Sequence, residues 1–361
     1  MRTYLDHNAT SPLRPSAREA MLVALDVGGN ASSVHGEGRA ARKLLDDARE
    51  VLGFALGCLP EMIVFTSGGT EANNMALRGV QAERVLVSAV EHPSVLAAAR
   101  ASGKPLDLIP VDGEGRVDLA ALERMLGGPN VLVSVMLANN ETGVIQPIAD
   151  VVALARKAGA LVHVDAVQGF GKIPVNFGLL GCDLMTVAAH KVGGPVGVGA
   201  LVIRDGLVVE PLLLGGGQEL RRRAGTENLA GIAGWAAVSR ENPLNIKVLR
   251  DELESSLESA VILGAGAERL PNTSCFAMPG FRAETLLMNF DLAGVAVSSG
   301  SACSSGKVGR SHVLEAMGVA PEVAASAVRV SLGWNSTAAD VRHFVTVWKQ
   351  LVARHRARQA A

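Results

Sequence analysis

Residues 131 to 191 read VLVSVMLANNETGVIQPIADVVALARKAGALVHVDAVQGFGKIPVNFGLLGCDLMTVAAHK. Three short apolar runs, VLVSVML, LVHVDA and DLMTVAAH, are broken by turn residues and by ADVVALARKAG, which has helical spacing. Apolar runs alternating with helices build crossover units, and these form a mostly parallel sheet buried on both faces. The pattern continues outward in both directions. Upstream stand MIVFTS before TEANNMALRGV and RVLVSA before PSVLAAARAS, and downstream stands VGALVIR. The expected fold is therefore α/β. Residues 16–27 and 37–53 read as two further helices packed around the sheet.

After Gly231 the pattern changes to a helix reaching about Ser239, a break at Pro243, a charged amphipathic helix near 244–258, then short strands and helices. The expected division is a large α/β domain over 11–240 and a smaller α+β domain made of 1–10 and 241–361, closed by a helix from about Ala338 to Arg354. Two domains also suit 361 residues. Composition narrows the function classes. Hydrophobic residues make up 48% and charged residues 19%, which excludes disorder over most of the length. The 34 Lys and Arg nearly balance 35 Asp and Glu, so nucleic acid is not an expected partner. No apolar stretch reaches the length of a membrane span, and the start lacks the apolar core of a signal peptide, so the expected location is the cytoplasm. The four cysteines, Cys58, Cys182, Cys275 and Cys303, have no C-x-x-C spacing and are expected to be reduced.

In open parallel sheets, ligands sit beyond the carboxyl ends of the strands. After MIVFTS come Gly68, Gly69 and Thr70, opening a helix whose N-H groups can hold a phosphate, or where Thr serves only as a cap. LVHV ends in Asp165, followed by Gln168. DLMTVAA ends in His190 and Lys191, and a lysine closing an apolar strand either has its charge penalised by burial, which suits an amine that bonds to a carbonyl, or reaches the surface to pair with a carboxylate. His92 follows RVLVSAV at another strand end, where its ring can stack on a flat group and move protons. Asn139-Asn140 follow VLVSVMLA. Arg329 opens RVSLGW and either clamps a carboxylate or makes a structural ion pair. A phosphate cradle, a strand-end acid and a strand-end amine together meet the demands of pyridoxal phosphate. GGPVGVGALVIRD lacks the full G-x-G-x-x-G spacing and leads into a strand, so a dinucleotide site is rejected. SSGSACSSG, residues 298–306, is too polar and Gly-rich for a strand and reads as a mobile loop with Cys303 at its centre. Cys58, Cys182 and Cys275 read as structural.

Taken in order, YLDHNAT (4–10), NASSVH (30–35), TSGGTEANN (66–74), EHPS (91–94), NNETG (139–143), HVDAVQ (163–168), His190-Lys191, RAGTEN (223–228) and SSGSAC (298–303) resemble the cysteine desulfurases of the NifS/IscS type, in the class V aminotransferase group. The resemblance runs to about Gly333. It implies the pyridoxal phosphate fold type I, with a seven-stranded-type sheet in the large, cofactor-binding domain. It implies that Lys191 carries pyridoxal phosphate, Asp165 pairs with the pyridine nitrogen, Gln168 bonds the ring oxygen and His92 stacks on the ring and shuttles protons. Gly69, Thr70 and His190 would hold the phosphate, joined by Thr226 from a second subunit. Asn140 and Arg329 would bind the substrate carboxylate. Cys303 would accept sulfur from L-cysteine as a persulfide, with L-alanine released, in a homodimer that feeds an acceptor such as an iron-sulfur scaffold or a thiolation protein. Two residues depart from the family pattern: Ala188 stands where relatives often have a phosphate-binding Ser, and Ala31 where they usually have Pro. A selenocysteine lyase or small-amino-acid transaminase on the same fold, and a non-catalytic sulfur-relay scaffold, are the competing readings.

Overall fold

The computed structural model describes residues 2–128, 130–241, 246–299 and 310–360. Its strands in chain order are β1 (Thr3–Tyr4), β2 (Ile63–Thr66), β3 (Arg84–Ser88), β4 (Leu106–Ile109), β5 (Val131–Ser134), β6 (Leu161–Asp165), β7 (Leu184–Ala188), β8 (Gly199–Ile203), β9 (Val261–Ile262), β10 (Thr273–Ala277), β11 (Val295–Ala296), β12 (Ser298–Ser299) and β13 (Ala327–Ser331). The central sheet has the order β2-β8-β7-β6-β5-β3-β4. β8 runs antiparallel to both of its neighbours and every other pairing is parallel, so six strands point one way. A mostly parallel sheet is what the alternation of apolar runs and helices implies, and a seven-stranded one is what the family resemblance implies.

β4 has no counterpart in the apolar pattern. It is the edge strand, and Asp107 and the half-exposed Leu108 interrupt its run, as an edge tolerates. The second correction concerns Ser298 and Ser299, read above as the start of a loop. They form β12, pairing antiparallel with β13 through Ser298–Arg329 and Ser299–Val328, and both are buried. A strand neighbour supplies their backbone partners, so the polar side chains do not forbid the strand. The rest of that cluster, Cys303 included, lies outside the described residues.

The helices α1 (Pro15–Asp26), α2 (Gly36–Leu56), α3 (Gly69–Gly79) and α4 (Pro93–Ala101) flank the sheet. In α2 the buried residues Ala41, Leu45, Ala48, Leu52 and Leu56 recur every three or four positions, and Gly57 ends the helix at φ 63°. Trp235 centres this core, edge-on to Phe65 and Phe170. A second core gathers Leu5, Phe276, Phe290, Phe344 and Trp348, with the Phe290 and Phe344 rings stacked at 5.0 Å. β1 joins it by parallel pairing with β11, and the antiparallel sheet β12-β13-β10-β9 lies over it. Among the described residues, no helix is long and apolar enough to cross a membrane.

Candidate active site

A cavity of about 210 Å³ opens at the carboxyl ends of the parallel strands. Its lining brings together Gly69, Thr70, His92, Asn140, Asp165, Gln168, His190, Lys191 and Arg329, residues that the chain separates by up to 260 positions (329 − 69). Thr226 does not line it. It is exposed and lines a separate pocket with Arg223 and Asn228.

Gly68, with φ 151°, is the N-cap of α3, and no side chain caps the helix there. The simple threonine cap is thereby ruled out, because Thr70 already sits in the first turn. The N–H groups of that turn are left open, an arrangement that can hold an anion. Ala188 lines the same cavity and contributes only a methyl group.

Lys191 follows β7 in a 3-10 turn, and its Nζ donates to the carbonyls of Asn8 at 2.7 Å and Ala9 at 2.8 Å. Asp165, at the end of β6, is buried. Its Oδ2 accepts from Asn73 Nδ2 at 2.8 Å and its Oδ1 from the Val167 N–H at 3.0 Å. Gln168 donates through Nε2 to the Asn8 carbonyl at 3.0 Å, while its Oε1 accepts from Lys172 Nζ. His190 Nδ1 lies 3.2 Å from Thr10 Oγ1. Arg329 donates to Asp6 Oδ1 at 2.8 Å and to the Asn140 carbonyl at 2.9 Å. The structural ion pair posed above is formed, and Arg329 also lines the cavity.

Burial controls the ionisation around this cavity. It pushes His190 down to about 4, with the Lys191 and Lys172 charges adding to the effect, so the imidazole is neutral at pH 7. It pushes His92 down as well; Asp165 opposes, and Lys191 and His312 reinforce. Burial raises Glu91 well above the usual carboxylate range, helped by the Asp165 charge. Burial also raises the thiols of Cys58, Cys182 and Cys275 to about 12, which keeps them protonated and unreactive.

Pyridoxal phosphate fits this lining. The cavity offers an open helix N-terminus, an amine and an oriented carboxylate. Asn73 Oδ1, Asn140 Oδ1 and Arg329 Nε are buried there without a hydrogen-bond partner. Such atoms are costly to leave unpaired unless a ligand meets them.

The residues from 3 to 344 match the model of the aminotransferase class-V family. The chain belongs to the aminotransferase class-V family. Within that family it is 43% identical to a cysteine desulfurase of Cereibacter sphaeroides, over 99% of this chain and 97% of the relative. It is 40% identical to the cysteine desulfurase IscS of Dictyoglomus turgidum, over 98% and 95% of the two chains. The solved structure of a NifS-like protein from Rickettsia africae superposes with a TM-score of 0.91 at 36% identity, covering 98% of this chain and all of that one. The class-V member described here also has site neighbours to which residue patterns assign no role. Asn8, Asn73, Ser94 and Lys172 are bound to Lys191, Asp165, His92 and Gln168 respectively. Asn8, Asn73 and Ser94 fall inside three of the quoted motifs. Lys172 offers only its spacing, one helical turn beyond Gln168.

Proposed function

We propose that this chain is a cysteine desulfurase that converts L-cysteine to L-alanine with pyridoxal phosphate bound in the cavity, and passes the sulfur to Cys303. The observation that carries the reading is the meeting, in one cavity, of Lys191, Asp165, His92 and the uncapped N-terminus of α3. The bound cofactor supplies an aldehyde and an electron sink for the substrate amino group. Lys191 would hold the aldehyde, and its free Nζ would take the α proton of the substrate. Asp165, fixed by two donors, keeps the pyridine nitrogen protonated. Gln168 donates to the ring oxygen and His92 covers the ring and handles protons. Gly69, Thr70 and His190 hold the phosphate, with Thr226 contributed by a second copy of the chain. Asn140 and Arg329 bind the substrate carboxylate.

The Cys303 thiolate attacks the substrate sulfur: an S–S bond forms, the carbon–sulfur bond breaks, and the three-carbon product is protonated to alanine. The persulfide then passes to an acceptor protein, of which an iron-sulfur scaffold is the expected kind. Cytoplasmic location and a homodimer belong to the same reading. Incubation with pyridoxal phosphate and L-cysteine is expected to yield alanine and protein-bound persulfide, and Cys303→Ala is expected to lose the persulfide. The keto acid 3-mercaptopyruvate in place of alanine would replace this reading with transamination.

A further inference from the structure

Asn73 lies one turn into α3 and is 1% exposed. Its Nδ2 donates to Asp165 Oδ2 at 2.8 Å and to Ser94 Oγ at 2.9 Å, which uses both amide hydrogens. The opposite amide orientation would set its oxygen against the Asp165 carboxylate, so electrostatics fixes the rotamer. Ser94 Oγ in turn lies 2.8 Å from His92 Nδ1, and the Ser94 backbone N–H donates to the same ring nitrogen at 3.1 Å. A backbone N–H can only donate. His92 Nδ1 is therefore an acceptor, and the neutral ring carries its proton on Nε2. Because Ser94 Oγ already accepts from Asn73, its own hydrogen is directed to Nδ1.

We infer that Asn73 and Ser94 are positioning residues that join Asp165 and His92 into one hydrogen-bonded unit and hold His92 in its Nε2–H form. In that form His92 gives a hydrogen at Nε2 and can gain one only at Nδ1, where two donors already point. The residue is built to offer a hydrogen bond from Nε2 rather than to collect a proton at Nδ1. The charges facing the ring act on the same balance: Asp165 on β6 favours the protonated ring, whereas Lys191 after β7 and His312, at the start of a helix, oppose it. Glu91, next to His92 in the chain, is pushed well above the usual carboxylate range by burial, which weakens its charge beside the ring. The unpartnered Asn73 Oδ1 at the cavity wall is the corollary of an amide whose donors are both committed elsewhere.

The test uses cofactor-free protein labelled with 15N-histidine, with His92 assigned by comparison with His92→Gln. Wild-type His92 is expected to show the Nε2–H pattern. Ser94→Ala removes one donor to Nδ1 without changing the fold, and Asn73→Leu frees the Ser94 hydroxyl without touching the ring. Each is expected to ease protonation at Nδ1 about tenfold, an upward shift of about one pH unit in the His92 titration. The double variant is expected to shift no further than either single one, since the two act in series. Asn73→Leu is also expected to weaken pyridoxal phosphate binding severalfold, through Asp165, while Ser94→Ala leaves it within about twofold. An Nδ1–H pattern in the wild type, or an unmoved His92 titration in Ser94→Ala, overturns the inference. This cofactor arm rests on the proposed function. If wild-type protein failed to bind pyridoxal phosphate, that reading would fall, while the nitrogen spectra would still decide the tautomer.

Discussion

Lys172 Nζ lies 2.5 Å from Gln168 Oε1 and 2.8 Å from Asn8 Oδ1. Gln168 Nε2 meanwhile donates to the Asn8 carbonyl. One ammonium or amine group thus decides which end of the Gln168 amide faces which way, at a residue assigned to the cofactor ring. Burial, with the nearby Lys191 and Arg329 charges, pushes Lys172 well below the usual lysine range, so its structural task is met by hydrogen bonds more than by charge.

Lys172→Met keeps the aliphatic stem and removes those bonds. Pyridoxal phosphate affinity of the cofactor-free protein is expected to fall about tenfold, the cost of roughly one well-placed hydrogen bond. The melting temperature is expected to stay the same or rise, because a poorly solvated amine has been removed. Absorbance titration with the cofactor and a thermal melt measure the two. An affinity equal to that of the wild type would show that Gln168 needs no such anchor.

Gly199 in β8 lets the turn before α3 come close. A Cβ there would stand 2.6 Å from the carbonyl carbon of Gly68 and 2.7 Å from its Cα. Backbone cannot swing aside as a flexible side chain does, so Gly199→Ala is expected to cost about 1–3 kcal/mol of stability and to displace the uncapped helix end. Weaker binding of pyridoxal phosphate should accompany the loss. Gly36→Ala, where an added Cβ has nothing within 4 Å, serves as the control and should change neither. Urea unfolding and cofactor titration of both variants decide the point.

His163 on β6 is 0% exposed, with Nδ1 2.9 Å from Ser134 Oγ and Nε2 3.0 Å from Thr186 Oγ1. Burial lowers it from 6.5 to about 4. Between those values the unfolded chain binds a proton that the folded one refuses, so stability is intact above about pH 6.5 and drains away as pH falls toward 4. His163→Gln is expected to flatten the dependence of unfolding free energy on pH by about one proton across that window. Urea titrations at several pH values compare the slopes. His7 and His190, also lowered to about 4, leave the variant some residual slope.

The sheet was legible because its inner strands are continuous apolar runs ending in turn residues, and burial on both faces demands such runs. β4 was not, since an edge strand with Asp107 lacks that demand. β12 was hidden for a related reason: two serines look like loop until β13 supplies their partners. At the site, Asp165, His190 and Lys191 stood out because a polar residue closing an apolar run is unusual, and the structure sets them around one cavity. Asn73, Ser94 and Lys172 carry no such mark. Their contacts reach residues up to 164 positions away, as in Lys172 with Asn8, and local spacing holds little record of distant pairing.

The opening decapeptide is woven into the reaction centre. Thr3 and Tyr4 pair with β11, Asp6 receives Arg329, and the carbonyls of Asn8 and Ala9 receive Lys191. Trimming these residues, by proteolysis or by shortening the gene, would therefore be a lesion of the candidate active site and no mere loss of a tail.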